Sequence, residues 1–244
     1  MIKAKLMAFM THLLTSILIA LLLAYIVFMI WYPVPLPKAT GITHIFLMML
    51  IIDVILGPIL TFIIYKKGKK TLKIDLAVII ILQLGAMLYG MYFVAQGRPS
   101  WLVQIEDRVI LVSPSIALDE KNQSISNRFY LQHWGKPIIA SVEFSKNAKV
   151  YGEQVILDAM GQGVVYQPYS YQPYNTENAL KKAKDLSGLN QYNNPNSVKE
   201  ILSNYPNAKF WLPLRGADFA EDLVVLLDER GNVLSIVELK PWSS

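Results

Sequence analysis

A chain of 244 residues with 53% hydrophobic residues and a mean hydropathy of +0.35 is too apolar for an ordinary soluble protein, and it has room for one or two domains. Its formal charge of +5 is unevenly held: residues 1–96 carry eight lysines against Asp53 and Asp75, a net +6, whereas residues 97–244 net −1. The pI near 9.2 therefore reports membrane topology and not a nucleic-acid surface, and the absence of cysteine excludes a disulfide framework, a thiol nucleophile and a thiolate metal site.

Three stretches, Leu13–Tyr32, Ile42–Tyr65 and Ile74–Ala95, run about 20 residues or more with almost no charge, the length a helix needs to cross roughly 30 Å of hydrocarbon. They predict three transmembrane helices in a domain spanning 1–96. The first exceeds the apolar core of a secretory signal and no A-x-A-like site follows it, so it is expected to stay attached. Lys3 and Lys5 precede it, and Lys66, Lys67, Lys69, Lys70 and Lys73 fill the second connection, against Lys38 alone in the first. The positive-inside rule then predicts a cytoplasmic N-terminus and a far-side C-terminal domain, with Trp31, Tyr32, Tyr89 and Tyr92 favouring the outer interface. A bacterial inner-membrane protein facing the periplasm fits this pattern.

The second span contains Asp53 and the pair Gly57–Pro58. A central Asp costs about 2.5 to 3.5 kcal/mol on the insertion scale, which the surrounding Leu, Ile, Phe and Val residues offset. The helix still inserts. Pro58 removes the donor that would bond Val54, so a kink is expected. An antiparallel hairpin centred on the lysine loop brings Gln83 to within about 3 Å of the depth of Asp53. Gln83, Ala86, Met87 and Gly90 share one face, a small-residue stripe suited to close packing, and Gly57 shares a face with Asp53. Two readings follow: a structural Asp53–Gln83 hydrogen bond joining two spans, or a groove for a partner helix.

Residues 97–244 alternate apolar and polar positions and predict a soluble α+β domain with an antiparallel sheet. WLVQIEDRVILV and KPIIASVEF read as strands, and DLVVLLDERGNVLSIVEL as a hairpin. TENALKKAKDL predicts a helix capped by Thr176, and a second short helix begins after Pro195. About 150 residues suffice for a separate core, so residues 98–244 alone are expected to unfold cooperatively.

The stretch 31–103 resembles the TfpX/TfpZ family of type IV pilin accessory proteins, on WYP after the first span, THIF…DVILGP, the GKK…K-x-D-L-A linker and the VAQGRP exit. The resemblance implies an inner-membrane protein that helps a type IV pilin subunit reach the pilus, as a pilin-specific chaperone without catalytic residues. It also implies an occupant for a groove containing Asp53, Gly57, Pro58, Gln83, Ala86 and Gly90: the pilin's long apolar helix, whose amine an acidic acceptor suits. Tyr166, Tyr169, Tyr171 and Tyr174, in VVYQPYSYQPY, offer contact area for a pilin head domain, or else an extended connection laid on their own domain.

No enzyme is predicted. Asp53 is central in its span and Asp75 terminal, too far apart for a shared-proton pair, and neither GxGD nor G-x-S-x-G occurs. His12, His44 and His133 show no ligand spacing, so no metal or cofactor is expected, and His12 and His44 read as interfacial or packing residues. The alternative class is a membrane-anchored periplasmic sensor or ligand-binding protein. It would need a cytoplasmic output larger than a short lysine loop.

Overall fold

The computed structural model describes residues 2–117, 134–218 and 220–243, so His133 lies outside the described residues. The chain divides into two compact units. One holds residues up to Ile30 together with Ile42–Gln96; the other holds Trp31–Gly41 together with the chain from Gly97 onward.

Four helices open the chain: α1 (Ile2–Tyr25), continued by a wider π-helical segment to Trp31, then α2 (Leu36–Thr40), α3 (Ile42–Ile64) and α4 (Leu72–Gln96). Three segments are long and apolar enough to cross a membrane: Ile2–Trp31, Ile42–Ile64 and Leu72–Gln96. Leu14, Leu18, Ile51 and Leu82 on these segments are each more than half exposed. That arrangement suits hydrocarbon better than water. α3 remains one helix through Pro58, which is buried.

The second unit is built on an eight-stranded sheet comprising β1 (Trp101–Ile105), β2 (Arg108–Val112), β3 (Ile138–Ser141), β4 (Gln172–Pro173), β5 (Lys184–Asp185), β6 (Phe210–Arg215), β7 (Leu223–Leu227) and β8 (Val233–Val237). The order is β4-β3-β1-β2-β6-β7-β8, with β5 on β6. The expected antiparallel sheet is corrected here, because β1 pairs β3 and β2 pairs β6 in parallel, making the sheet mixed. Short connections force the β1–β2 and β7–β8 hairpins, whereas β3 and β6 return by long routes that permit a parallel neighbour.

Residues on alternating faces of this sheet enter different cores. Leu102, Leu111, Leu212 and Val225 point into one, while Trp101, Val103 and Ile110 enter a second and Trp211, Val224 and Leu226 a third. Both faces are therefore covered, which is why the strands read as nearly continuous apolar runs. β6 is central although it contains Pro213. β5 pairs Phe210 and Trp211 while β2 pairs Leu214 and Arg215, so Pro213 falls where one neighbour gives way to the next and its missing donor costs little.

Segment 31–41 supplies part of the first core. Leu36 and Ala39 are 2% and 0% exposed and pack with Leu102, Leu212 and Leu223. The carbonyls of Lys38 and Ala39 accept from the Glu221 and Ala217 amides at 3.2 and 2.7 Å. Tyr32 is fully buried, and the guanidinium of buried Arg98 lies 4.4 Å from the Trp134 ring centre, whose residue also accepts from Trp31 Nε1 at 3.0 Å. Thus WYP and QGRP meet around one aromatic cluster. Burial raises the Tyr32 phenol and lowers the Arg98 guanidinium from their ordinary values.

The helices of this unit are α5 (Ala148–Ala159), α6 (Thr176–Lys182) and α7 (Pro195–Ser203). The cap of α6 is Asn175 and not Thr176, since the Asn175 side chain accepts from the Asn178 amide at 3.1 Å. α5 has no buried residue, yet Val150, Tyr151, Ile156 and Met160 are all exposed.

One consequence is local and testable. A Cβ on Gly216 would lie 2.6 Å from the Glu221 carbonyl oxygen and 2.7 Å from that of Ala39, both main-chain atoms that cannot rotate away. Gly216→Ala is expected to cost about 1–3 kcal/mol by overpacking. Thermal unfolding of the detergent-solubilised full chain checks this, and an unchanged midpoint would refute the seating of segment 31–41.

Candidate functional site

In the first unit, the apolar helices enclose a run of polar contacts. Gln83 on α4 donates from Nε2 to the main-chain carbonyl of Asp53 on α3 at 2.7 Å. Its Oε1 lies 3.0 Å from His12 Nε2 on α1, and His12 Nδ1 lies 2.6 Å from Thr61 Oγ1 on α3. With the amide so oriented, His12 Nε2 must carry the proton given to Gln83, and Thr61 can donate to Nδ1 of the neutral ring. The chain Thr61–His12–Gln83–Asp53 therefore links all three helices.

Expectation and structure differ here in one atom. Gln83 and Asp53 do meet at similar depth, but through the Asp53 carbonyl and not the carboxylate, because His12 fixes the amide from its other side. Asp53 Oδ2 is buried, and no hydrogen-bond donor among the described residues reaches it. His12 is the member that sequence reading missed. A lone histidine in an apolar run has no spacing partner; its depth relative to Gln83 was the signal available.

Gly57 explains the close approach. A Cβ there would overlap the Gln83 amide, so the absent side chain is what admits Gln83. Gly90 does the same for the Met49 sulfur. Asp53, Ala86 and Gly90 line a groove of about 430 Å³ between α3 and α4. Asp53 and Gln83 also line a larger cavity of about 660 Å³, to which α1 contributes Thr11, His12, Thr15 and Ser16. Pro58 is buried in α3 and lines neither space. In the first turn of α4, Asp75 pairs with Lys69 at 2.6 Å.

The tyrosine-rich segment lies in the second unit. Tyr171 is 3% exposed and donates to the Val165 carbonyl at 2.5 Å, and Tyr174 donates to the Gly231 carbonyl at 2.9 Å. These two spend their hydroxyls within their own domain. Tyr166 and Tyr169 keep part of their surface exposed, and the 164–166 turn packs against α5.

Burial, with Asp228 nearby, pushes the Tyr174 phenol up to about 12, and burial raises Tyr171 as well. A phenol raised from its ordinary value of 10.0 stays protonated in the fold where the unfolded chain would ionise. Its contribution is complete below pH 10 and is lost as the pH rises towards about 12. The second unit is therefore expected to lose stability across that window, with Tyr174→Phe flattening the loss, as denaturant midpoints measured at successive alkaline pH values will show.

Among known proteins, the family described as fimbrial assembly protein FimB matches residues 1–41. Fimbrial assembly protein of serogroup I from Dichelobacter nodosus is 31% identical over 240 residues, covering 93% of this chain and 92% of that protein. The serogroup E1 protein of the same organism is 31% identical over 239 residues, with the same coverage. The protein of serogroups C1 and C2 is 40% identical over 116 residues, 46% of this chain and 88% of its own length. No solved structure gives a significant match. These descriptions concern fimbrial assembly without using the TfpX/TfpZ designation.

Proposed function

This chain belongs to the fimbrial assembly protein family of FimB, and from that premise we propose that it is a non-catalytic, pilin-specific chaperone that holds a type IV pilin subunit in the membrane until assembly. The observation that carries the proposal is the largely apolar cavity among α1, α3 and α4, with a few polar side chains in its wall, a recess in helices whose remaining surface is apolar enough to face lipid. An apolar partner helix gains packing in that recess against Ala8, Ser16 and Ala20 of α1, where helix association does not depend on water. Tyr166, in the turn packed against α5 with its exposed apolar side chains, and the part-exposed Tyr169 suit a second contact with the pilin head.

The proposal places the three helices in a bacterial inner membrane, with the N-terminus and the 66–73 loop in the cytoplasm and the sheet domain in the periplasm. Seven lysines at the inner positions against Lys38 support that orientation. A reporter fused after Ser244 is expected to be active only in the periplasm, and cytoplasmic activity would reverse the topology. Crosslinking in intact membranes followed by pull-down tests the main reading. Recovery of pilin crosslinked through residues of α1, α3 or α4 supports it; pilin recovered only through the outer domain, or not at all, overturns it.

A further inference from the structure

Apart from α5 and its cap Met160, the most exposed large apolar side chains of the second unit, among the described residues, are Val34 at 75% and Trp134 at 59%. Both adjoin Trp31. Val34 follows it by three residues, a reach of at most about 11 Å. The Trp134 ring centre lies 6.1 Å from that of Trp31, and the Trp134 carbonyl accepts from Trp31 Nε1 at 3.0 Å. On another side the Arg98 guanidinium, 4.4 Å from the ring centre, holds the indole in place. The Trp134 Nε1–H itself has no acceptor among the described residues.

Chain continuity sets the depth of this cluster. The first apolar segment, Ile2–Trp31, has 30 residues and so a length of about 45 Å, the thickness of a bilayer with both headgroup layers. With Ile2 at one surface, Trp31 falls at the other. The second apolar segment begins at Ile42 and the third ends at Gln96, two residues before Arg98, so segment 31–41 is tethered to a span at each end and Arg98 follows a span directly. The sequence pattern assigns Tyr32 to this boundary, but Tyr32 is buried within its own unit. Trp134, 103 residues beyond Trp31, is the exposed aromatic residue that the fold brings there instead.

We infer that Val34 and Trp134 form a lipid-docking patch of the second unit: Val34 enters the acyl boundary of the leaflet that Trp31 reaches, and the Trp134 N–H donates to the ester carbonyl and phosphate oxygens of that leaflet. The bilayer interface is apolar on one side and rich in acceptors on the other, which matches an exposed indole with an unspent donor. Continuity with the spans selects lipid as the occupant, because any side chain exposed this close to Trp31 meets the headgroup layer first. The indole is already pinned by Trp31 and Arg98, so docking costs little further side-chain entropy.

The inference rests on the reading of the apolar helices as membrane spans, and its test separates the two. The chain has no cysteine, so a nitroxide label can be placed at one position at a time. Full-length Val34→Cys, Leu82→Cys and Met160→Cys chains in phosphatidylcholine nanodiscs are compared by collision with oxygen, which concentrates in lipid, and with a nickel chelate, which stays in water. Leu82 on α4 and Met160 are each 69% exposed, close to Val34, so the three labels differ in surroundings and not in openness. The Val34 label is expected to be shielded from nickel relative to Met160 and to lie shallower than Leu82. In the unlabelled chain, lipids brominated near the headgroup end of the acyl chain are expected to quench tryptophan fluorescence more than lipids brominated at the chain end. Trp134→Phe is expected to lose much of that quenching, since Trp101 and Trp211 are buried. With Leu82 in lipid, a Val34 label as open to nickel as Met160, or quenching undiminished in Trp134→Phe, overturns the inference and leaves the spans standing. A Leu82 label open to nickel removes the spans and the patch with them. A Met160 label shielded as well as Val34 would mean that the unit adheres without a patch, and a Val34 label shielded only after pilin is added would assign the surface to pilin; either overturns the lipid site. Should Trp134→Phe not fold, the Val34 label decides.

Discussion

Residues 98–244, which the sequence alone predicts to unfold cooperatively, are expected to lose that cooperativity without segment 31–41, because the segment belongs to the same unit, and the same fragment joined to residues 31–41 by a Gly/Ser linker is expected to regain it. The segment contributes Leu36 and Ala39 to the core under β1, β2, β6 and β7, and Tyr32 to the cluster with Arg98 and Trp134. Emptying the Leu36 site alone costs about 2–5 kcal/mol, and loss of a buried aromatic such as Tyr32 about 3–5. The Ala217 and Glu221 amides lose their acceptors as well. Against a total stability of about 5–15 kcal/mol, these losses are enough to unfold the unit. Circular dichroism melts of the two fragments make the comparison. A sharp transition at the same temperature with and without the segment would show that residues 31–41 decorate the domain without completing it. Within the full chain, Leu36→Ala provides a milder version, with the same 2–5 kcal/mol expected in chemical denaturation.

The segment's role was hidden by its composition. WYPVPLPKATG has three prolines and lies between two apolar runs, so it reads as a connection, and the boundary expected near Gly97 assigned it to the membrane part. What places it in the second unit is contact with strands at least 60 residues further along, and no local pattern records that. The same reason accounts for the mixed sheet. The β1–β2 and β7–β8 hairpins follow from the Glu-Asp and Asp-Glu-Arg-Gly-Asn turns, Gly231 taking a φ of 82°, but nothing within β3 or β6 states which strand each will join. β6 was further obscured by Pro213, which is tolerated only because its two neighbours on that edge meet beside it. The apolar spans, by contrast, are legible from length alone, since backbone satisfaction in hydrocarbon requires each to be a continuous helix.

Of the candidate site, depth was legible and chemistry only in part. The pairing of Asp53 with Gln83 follows from counting residues along an antiparallel hairpin, and the structure brings them together. Counting does not say which Asp53 oxygen is bonded. That is settled by His12, which arrives on a helix whose register against the hairpin the sequence does not specify.

Gly57→Ala is expected to destabilise the membrane unit by about 1–3 kcal/mol, and Gln83→Ala, itself destabilising, is expected to relieve much of that loss when the two are combined. The new Cβ enters the space of the Gln83 amide. A flexible glutamine would ordinarily swing aside, but this one is held at both ends, by His12 on α1 and by the Asp53 carbonyl on α3, so yielding means giving up hydrogen bonds. Each such bond in a helical membrane protein is worth about 0.6 kcal/mol on average and up to about 1.7, comparable to the strain it resists. With Gln83 shortened, Gly57→Ala meets no amide and only the ordinary cost of losing the small contact remains. Equilibrium unfolding of the two single variants and the double variant in mixed micelles gives the coupling directly. A favourable interaction energy of about 1 kcal/mol or more is expected, whereas strictly additive effects would mean that Gly57 and Gln83 act independently and that the approach of α3 to α4 does not depend on the polar chain running through His12.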